Sequence, residues 1–249
     1  CLKANLDAKA HETAKFALKL APQEIDNILW YADFKTKSND PKEAVKALNE
    51  ALQITPHRSE LKLWLAKTYL LMDLSDDAKR TLVELLSDPN SNAKDLHQAA
   101  YLFVQLNEID LAAQALEKTI NAAENFNPTA VMDLAVVYTQ LENRKKALDL
   151  LNVDESTQIQ YPQLVLLKSD VLCNLGQYSH AINSLNLIKE HVEHGFENTS
   201  NEKDESFQSP LLYHFDLSKE GYFYRIGQLN RAIGKFSEAQ TFLMQASLL

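Results

Sequence analysis

The residues best placed by type and spacing to do chemistry are Glu190, His191, Glu193 and His194, in which two imidazoles three positions apart share one face of a helix. Such a pair suits zinc only with a third ligand and hydrogen-bonded support behind the rings. The alternative is a solvated helix end stopped by Gly195, which is the reading adopted, and no metal is expected. Asn198-Thr199-Ser200 matches a glycosylation acceptor, which has meaning only in a secreted eukaryotic protein. The two cysteines, Cys1 and Cys173, form no C-x-x-C and no disulfide framework. Cys173 lies in the apolar pattern SDVLCNLG, where a thiol acts as a small hydrophobe. There is no G-x-S-x-G, Walker loop, dinucleotide fingerprint or H-E-x-x-H, and the acidic residues are scattered over helix faces. The expectation is a chain with no catalytic residues and no cofactor.

Composition narrows the partner classes. Twenty-five Lys and Arg against thirty-four Asp and Glu leave a net charge of −9, which repels a phosphate backbone, so nucleic acid is not expected as a partner. No run of about eighteen apolar residues is present to span a bilayer as a helix. Five glycines and seven prolines in 249 residues are too few for a turn-rich β design and favour helices.

What must position any functional side chain is a repeat. AHETAKFALKLAP, residues 10–22, returns as AVKALNEALQITP, residues 44–56, thirty-four residues later. Prolines at 22, 56, 89, 128 and 162 give intervals of 34, 33, 39 and 34, the long one implying a short insertion over 121–127. Between prolines, apolar residues recur at i, i+3, i+4 and i+7, as at Ala44, Ala47, Leu48 and Ala51, and each period holds two such stripes. Turn or capping residues separate them: Ser38-Asn39-Asp40-Pro41, with Asp40 as a cap acceptor, Asp73-Leu74-Ser75-Asp76, Asn107-Glu108, and the glycines Gly176 and Gly234. The unit is a helical hairpin.

The pattern resembles the tetratricopeptide-repeat family. Residues 25–58 supply Ile28, Tyr31, Ala32, Ala44, Leu48, Ala51 and Pro56 at the family's positions, and Leu65, Ala66, Tyr69, Ala78 and Leu82 follow in the next period. Leu96, Ala99, Ala100, Phe103, Ala112 and Leu116 continue it, then Leu134, Ala135, Tyr138, Ala147 and Leu151. Val165, Ser169, Leu172, Ala181 and Leu185 are a looser copy, and Phe223, Ile226, Gly227, Ala239, Leu243 and Ala246 a sixth. Lys35 and Lys62 depart from it, standing where an aromatic and a large apolar residue are expected. The resemblance implies an all-α, right-handed superhelical solenoid of antiparallel helix pairs, about thirteen helices in one repeat domain over 1–249. Its repeats are 25–58, 59–92, 93–127, 128–161, 162–193 and 220–249, after an orphan helix over 5–21. The small residues Ala32, Ala66, Ala100, Ala135 and Gly227 fall where the first helix of a repeat meets its second, and a bulky side chain there would force the pair apart. No repeat buries its apolar face alone, so stability comes from stacking.

Residues 194–219 break the period with a polar middle, 197–209, poor in apolar residues. A flap over a groove and a tolerated surface insertion are both open readings. Cys1 is also open to two. In repeat phase the chain starts mid-unit, as a fragment of a longer array would. A leading Cys is equally what remains of a bacterial lipoprotein after its signal peptide is removed, with Cys1 lipidated. The first leaves the compartment unassigned, with the cytoplasm as default; the second places the chain in the periplasm or tethered to a membrane.

The resemblance also implies a mode of action, an interaction scaffold whose first helices line a concave groove, with positions two, five and nine facing inward. The fifth positions are Leu29, Leu63, His97, Met132, Leu166 and Tyr224, and the ninth are Asp33, Lys67, Tyr101, Val136, Asp170 and Gln228. The family's carboxylate clamp needs several converging donors, and Lys67 alone cannot supply them. The mixed, largely apolar set suits an amphipathic or apolar segment of a protein or peptide partner, in the assembly of a bacterial envelope or secretion complex for instance. The rival reading is a helical region of a larger enzyme or exporter whose functional domain lies outside this chain.

Overall fold

A computed structural model describes Glu12, Thr13, Phe16, residues 24–193 and residues 218–248. Cys1, Asn198–Ser200, His194, the side chains of His191 and Glu193, nearly all of the 194–219 insertion and most of the expected helix over 5–21 lie outside the described residues. Among the described residues every regular element is helical. Six helix pairs carry the architecture: α1 (Ile25–Lys37) with α2 (Pro41–Ile54), α3 (Ser59–Leu71) with α4 (Ser75–Ser87), and α5 (Ala93–Gln105) with α6 (Ile109–Ala122) come first. Then follow α7 (Pro128–Gln140) with α8 (Arg144–Leu151), a short α9 (Glu155–Gln160), and α10 (Pro162–Asn174) with α11 (Tyr178–Asn186). A short α12 (Lys189–Glu193) precedes the last pair, α13 (Lys219–Ala232) with α14 (Phe236–Ser247). The chain divides into two compact units, Cys1–Ala123 and Glu124–Leu249.

Each pair turns in the same way. Asn39, Asp73, Asn107, Glu142, Gly176 and Gly234 all have φ between 58° and 79°, the left-handed region in which a helix ends. The next amide closes each turn on a carbonyl five residues back, as in Asp40 N–H to Lys35 O at 2.9 Å and Glu108 N–H to Phe103 O at 2.8 Å. Four of the six turn residues are not glycine, so the turn is fixed by packing as well as by local preference. The turns also correct the period. Asn107 and Glu142 are 35 positions apart, so the expected insertion over 121–127 amounts to one residue; the proline interval is longer because Pro89 comes one residue early and Pro128 stands at the first position of its helix, whereas Pro56 stands three residues before its own.

The small residues lie where the pairs close. Ala32, Ala66, Ala100 and Ala135 are fully buried, with Ser169 at 1% exposure in the same role. At Gly227 a Cβ would come within 2.7 Å of Leu243 Cγ and 2.8 Å of its Cδ2. Their partners on the second helices, Ala44, Ala78, Ala112, Ala147 and Ala181, are equally buried. In the first unit Ile28, Ala32, Leu48, Leu61 and Leu65 form one apolar cluster; in the second, Val165, Leu172, Leu185, Tyr222, Phe223 and Ile226 form another.

Two departures from the repeat pattern acquire a physical reason. Lys35 is buried but its ammonium reaches the Asp40 carboxylate at 3.0 Å and lies 5.8 Å from the Tyr31 ring centre. The cap acceptor expected at Asp40 makes no capping hydrogen bond to α2; its carboxylate serves the Lys35 ammonium. Lys62, also buried, pairs at 2.8 Å with Asp88 in the loop after α4. A lysine stem packs as a hydrocarbon and the charge is met by one carboxylate, which is how a cation occupies an apolar slot.

Candidate functional site

The first helices of successive repeats, α1, α3 and α5, are neighbours in the first unit and enclose a concavity of about 760 Å³. Its floor is apolar: Ile25 and Leu29 from α1, Leu63 and Trp64 from α3. Its rim is charged, with Glu24 and Asp26 at α1, Arg58 and Glu60 at α3, and Lys94 at α5. Asn92, Asp95 and Gln98 complete the α5 side.

The α5 side is held rigidly. Asn92 caps the helix, its Oδ1 accepting the Asp95 amide at 2.8 Å, while its Nδ2 donates to Asp95 Oδ2 at 2.7 Å. Ser59 Oγ–H donates to the same carboxylate oxygen at 2.5 Å, tying the start of α3 to the start of α5. Asp95 is 5% exposed and its charge is satisfied inside this network. Lys67, behind the floor, donates to the neutral Gln98 Oε1 at 2.7 Å and lies 5.7 Å from the Trp64 ring centre. Burial pushes its ammonium pKa below the usual lysine value, with Asp95 opposing the shift. On the adjoining edge Asp88 accepts from Lys62, from the Asn90 amide at 3.0 Å and from His57 at 3.2 Å. The Lys62 hydrogen bond, then that of Asn90, holds the Asp88 carboxyl well below the ordinary carboxylate range.

Of the twelve residues expected to face a groove, Leu29 and Leu63 meet in this concavity. Leu63 at 3%, Met132 at 4% and Leu166 at 1% exposure are packed core side chains, because position five also seats against neighbouring helices. Asp33 is tied to Lys37 on its own helix at 2.6 Å. His97 and Tyr101 bond to each other at 2.7 Å, with ring centres 4.9 Å apart. In the second unit Asp170 is held by Arg225 of α13; burial raises its pKa and the guanidinium works against that rise. Val136 and Gln228 are half-buried, and Tyr224 is 54% exposed.

The concavity draws instead on position two, with Asp26, Glu60 and Lys94, on position six, with Trp64 and Gln98, and on the residue before each helix. Helical periodicity carried that signal: at 100° per residue, position six lies about 40° from position two, on the same face. No nucleophile is displayed here. Cys173, in the second unit, is half-buried against the apolar cluster, and burial pushes its thiol pKa up, away from reactivity. None of the described helices is long and apolar enough to cross a membrane.

Comparison with known proteins agrees with this architecture. The family model for the tetratricopeptide repeat matches residues 35–100. The human protein O-mannosyl-transferase TMTC3 is 28% identical over 185 residues, covering 70% of this chain but 19% of that protein, so the chain spans about a fifth of that relative's length. Among solved structures, YrrB, described as a TPR protein with an unusual peptide-binding site, superposes with a TM-score of 0.52 at 14% identity, over 74% of this chain and 95% of YrrB. The type IV pilus biogenesis factor PilW gives 0.50 at 15% identity, over 94% and 91%. At those identities the structures speak for the fold. Six like-turned helix pairs with small residues at each closure give the described residues the tetratricopeptide-repeat fold, and over residues 35–100 the sequence itself matches the model of that family.

Proposed function

We propose that the chain is a non-catalytic interaction scaffold that holds a segment of a partner protein in the concavity of α1, α3 and α5. The observation that carries this reading is an apolar floor of Leu29, Leu63 and Trp64 ringed by Glu24, Asp26, Arg58, Glu60 and Lys94, none of which makes an ion pair with another described residue. Charges with an internal partner serve the fold; unpaired ones around an apolar cleft remain available to a ligand. The floor is wide enough for a few side chains, which suits a peptide segment better than a small metabolite enclosed on all sides. That YrrB is described as having a peptide-binding site is consistent with this use of the fold.

A photo-crosslinking amino acid placed at Glu60 in the concavity and, separately, at Glu84 on the exposed side of α4 tests the site. Crosslinks to one partner from position 60 and not from position 84 are expected. The same crosslinks from both positions, or only from 84, refute it.

The match to an O-mannosyl-transferase over 19% of its length favours a second reading, in which these repeats are the helical region of a larger protein. The scaffold would then present a substrate or partner to a domain elsewhere in the same polypeptide. The sequence of the gene on both sides of the region encoding this chain decides between the two.

A further inference from the structure

The rim of the concavity changes sign from one end to the other. At α1 it carries Glu24 and Asp26, at α3 Arg58 beside Glu60, and at α5 the rim charge is Lys94, the neighbouring Asp95 carboxylate being buried and turned onto Ser59 and Asn92. The acids have a local reason: Asp26 and Glu60 sit in the first turns of their helices, where carboxylates offset the helix dipole. Lys94 has the opposite of one. It stands in the first turn of α5, at the position that Asp26 and Glu60 fill in the preceding repeats, where a cation is disfavoured by the same dipole. Arg58, immediately before α3, is likewise a cation at a helix start, and neither has an ion-pair partner among the described residues. Behind them Lys67 is half-buried with a neutral amide as its hydrogen-bond acceptor. Positive charge has therefore been collected at the α3–α5 end at a small cost to the helices, and neither Arg58 nor Lys94 is used in an ion pair among the described residues.

We infer, building on the groove reading above, that the concavity takes an extended segment with a cationic side chain at its α1 end, apolar side chains over Leu29 and Trp64, and a carboxylate at its α5 end. Neighbouring helix axes lie about 8–10 Å apart, so two steps span about 16–20 Å, and at about 3.3 Å per extended residue the two charges fall about five to six residues apart. The sign pattern along the cleft sets the preference: like charges at both ends of the ligand meet repulsion at one end, and adjacent opposite charges cannot reach both.

Four end-capped synthetic peptides with a common apolar centre test this by fluorescence anisotropy on the full chain at low salt, where exposed charges are least screened. One carries a lysine and an aspartate separated by five residues, one lysines at both places, one aspartates at both, and one the lysine and aspartate side by side. The spaced lysine–aspartate peptide is expected to bind about fivefold more tightly than the others, the scale of two exposed ion pairs. Lys94→Glu should move the preference to the dilysine peptide with helicity unchanged. Equal affinity for all four peptides, abolished by Leu29→Glu, would overturn the polarity and leave the groove standing. Binding by none of them, or binding that survives Leu29→Glu, would overturn the groove reading and the inference with it.

Discussion

Gly227→Ala should destabilise the second unit although alanine is the better helix former. In the interior of α13 the exchange is worth about 1 kcal/mol in favour of alanine. Against it, the new Cβ would sit 2.7 Å from Leu243 Cγ, 2.8 Å from Leu243 Cδ2 and 3.2 Å from the Leu243 backbone nitrogen. The first two distances are more than half an ångström inside normal carbon–carbon contact, and Leu243 can yield only by leaving its seat between α13 and α14 or by pushing the helices apart. Overpacking of this kind costs about 1–3 kcal/mol, so the net expectation is a loss of about 1–2 kcal/mol. Leu243→Ala removes both close carbon atoms and leaves only the 3.2 Å contact, which a shift of a few tenths of an ångström relieves. In that background Gly227→Ala should become neutral or stabilising. Urea unfolding of wild type, both single variants and the double variant, followed by circular dichroism, gives the coupling energy of the pair, expected at about 1–3 kcal/mol. An effect of Gly227→Ala that is the same with and without the Leu243 side chain would refute the claim that a small residue is needed there for helix closure.

Among the described residues Glu142 is the bulkiest held at positive φ, at 58°, so Glu142→Gly should stabilise by up to about 1 kcal/mol. The same change at Asn39, a residue type that tolerates this conformation, should do less, and equal midpoint shifts in urea would show that strain is not the cause. Asp88→Asn should cost about 1–3 kcal/mol at neutral pH by leaving the Lys62 ammonium without its carboxylate. Because the folded pKa of Asp88 is depressed, its contribution is present above the ordinary carboxylate pKa of about 4 and is lost as the pH falls toward the folded value. The stability difference between wild type and Asp88→Asn should therefore be full at pH 6 and narrow steadily below about pH 4 in urea unfolding curves, whereas a difference constant with pH would exclude the ion pair as its source.

The sequence by itself determined the fold class and the period of the repeat. A recurring pair of apolar stripes with alanine at each helix closure leaves little choice, because side chains larger than Ala32, Ala66, Ala100, Ala135 or Gly227 would not let the helices touch. These constraints are local to one period and repeat, so they can be read along the chain. What depended on contacts between residues far apart in sequence could not be read in this way. Lys62 looks misplaced until Asp88, twenty-six positions on, is brought to its ammonium. Leu63, Met132 and Leu166 occupy the same repeat position as Leu29, yet they are buried while Leu29 is partly open, since exposure there is set by how closely neighbouring helices approach. The charged rim was legible only as a position-two rule without an address. Its sign reversal at Lys94, and the absence of an ion-pair partner for it among the described residues, became visible only once α1, α3 and α5 stood side by side. Helical periodicity fixes which face a side chain leaves from, and tertiary packing fixes what it meets there.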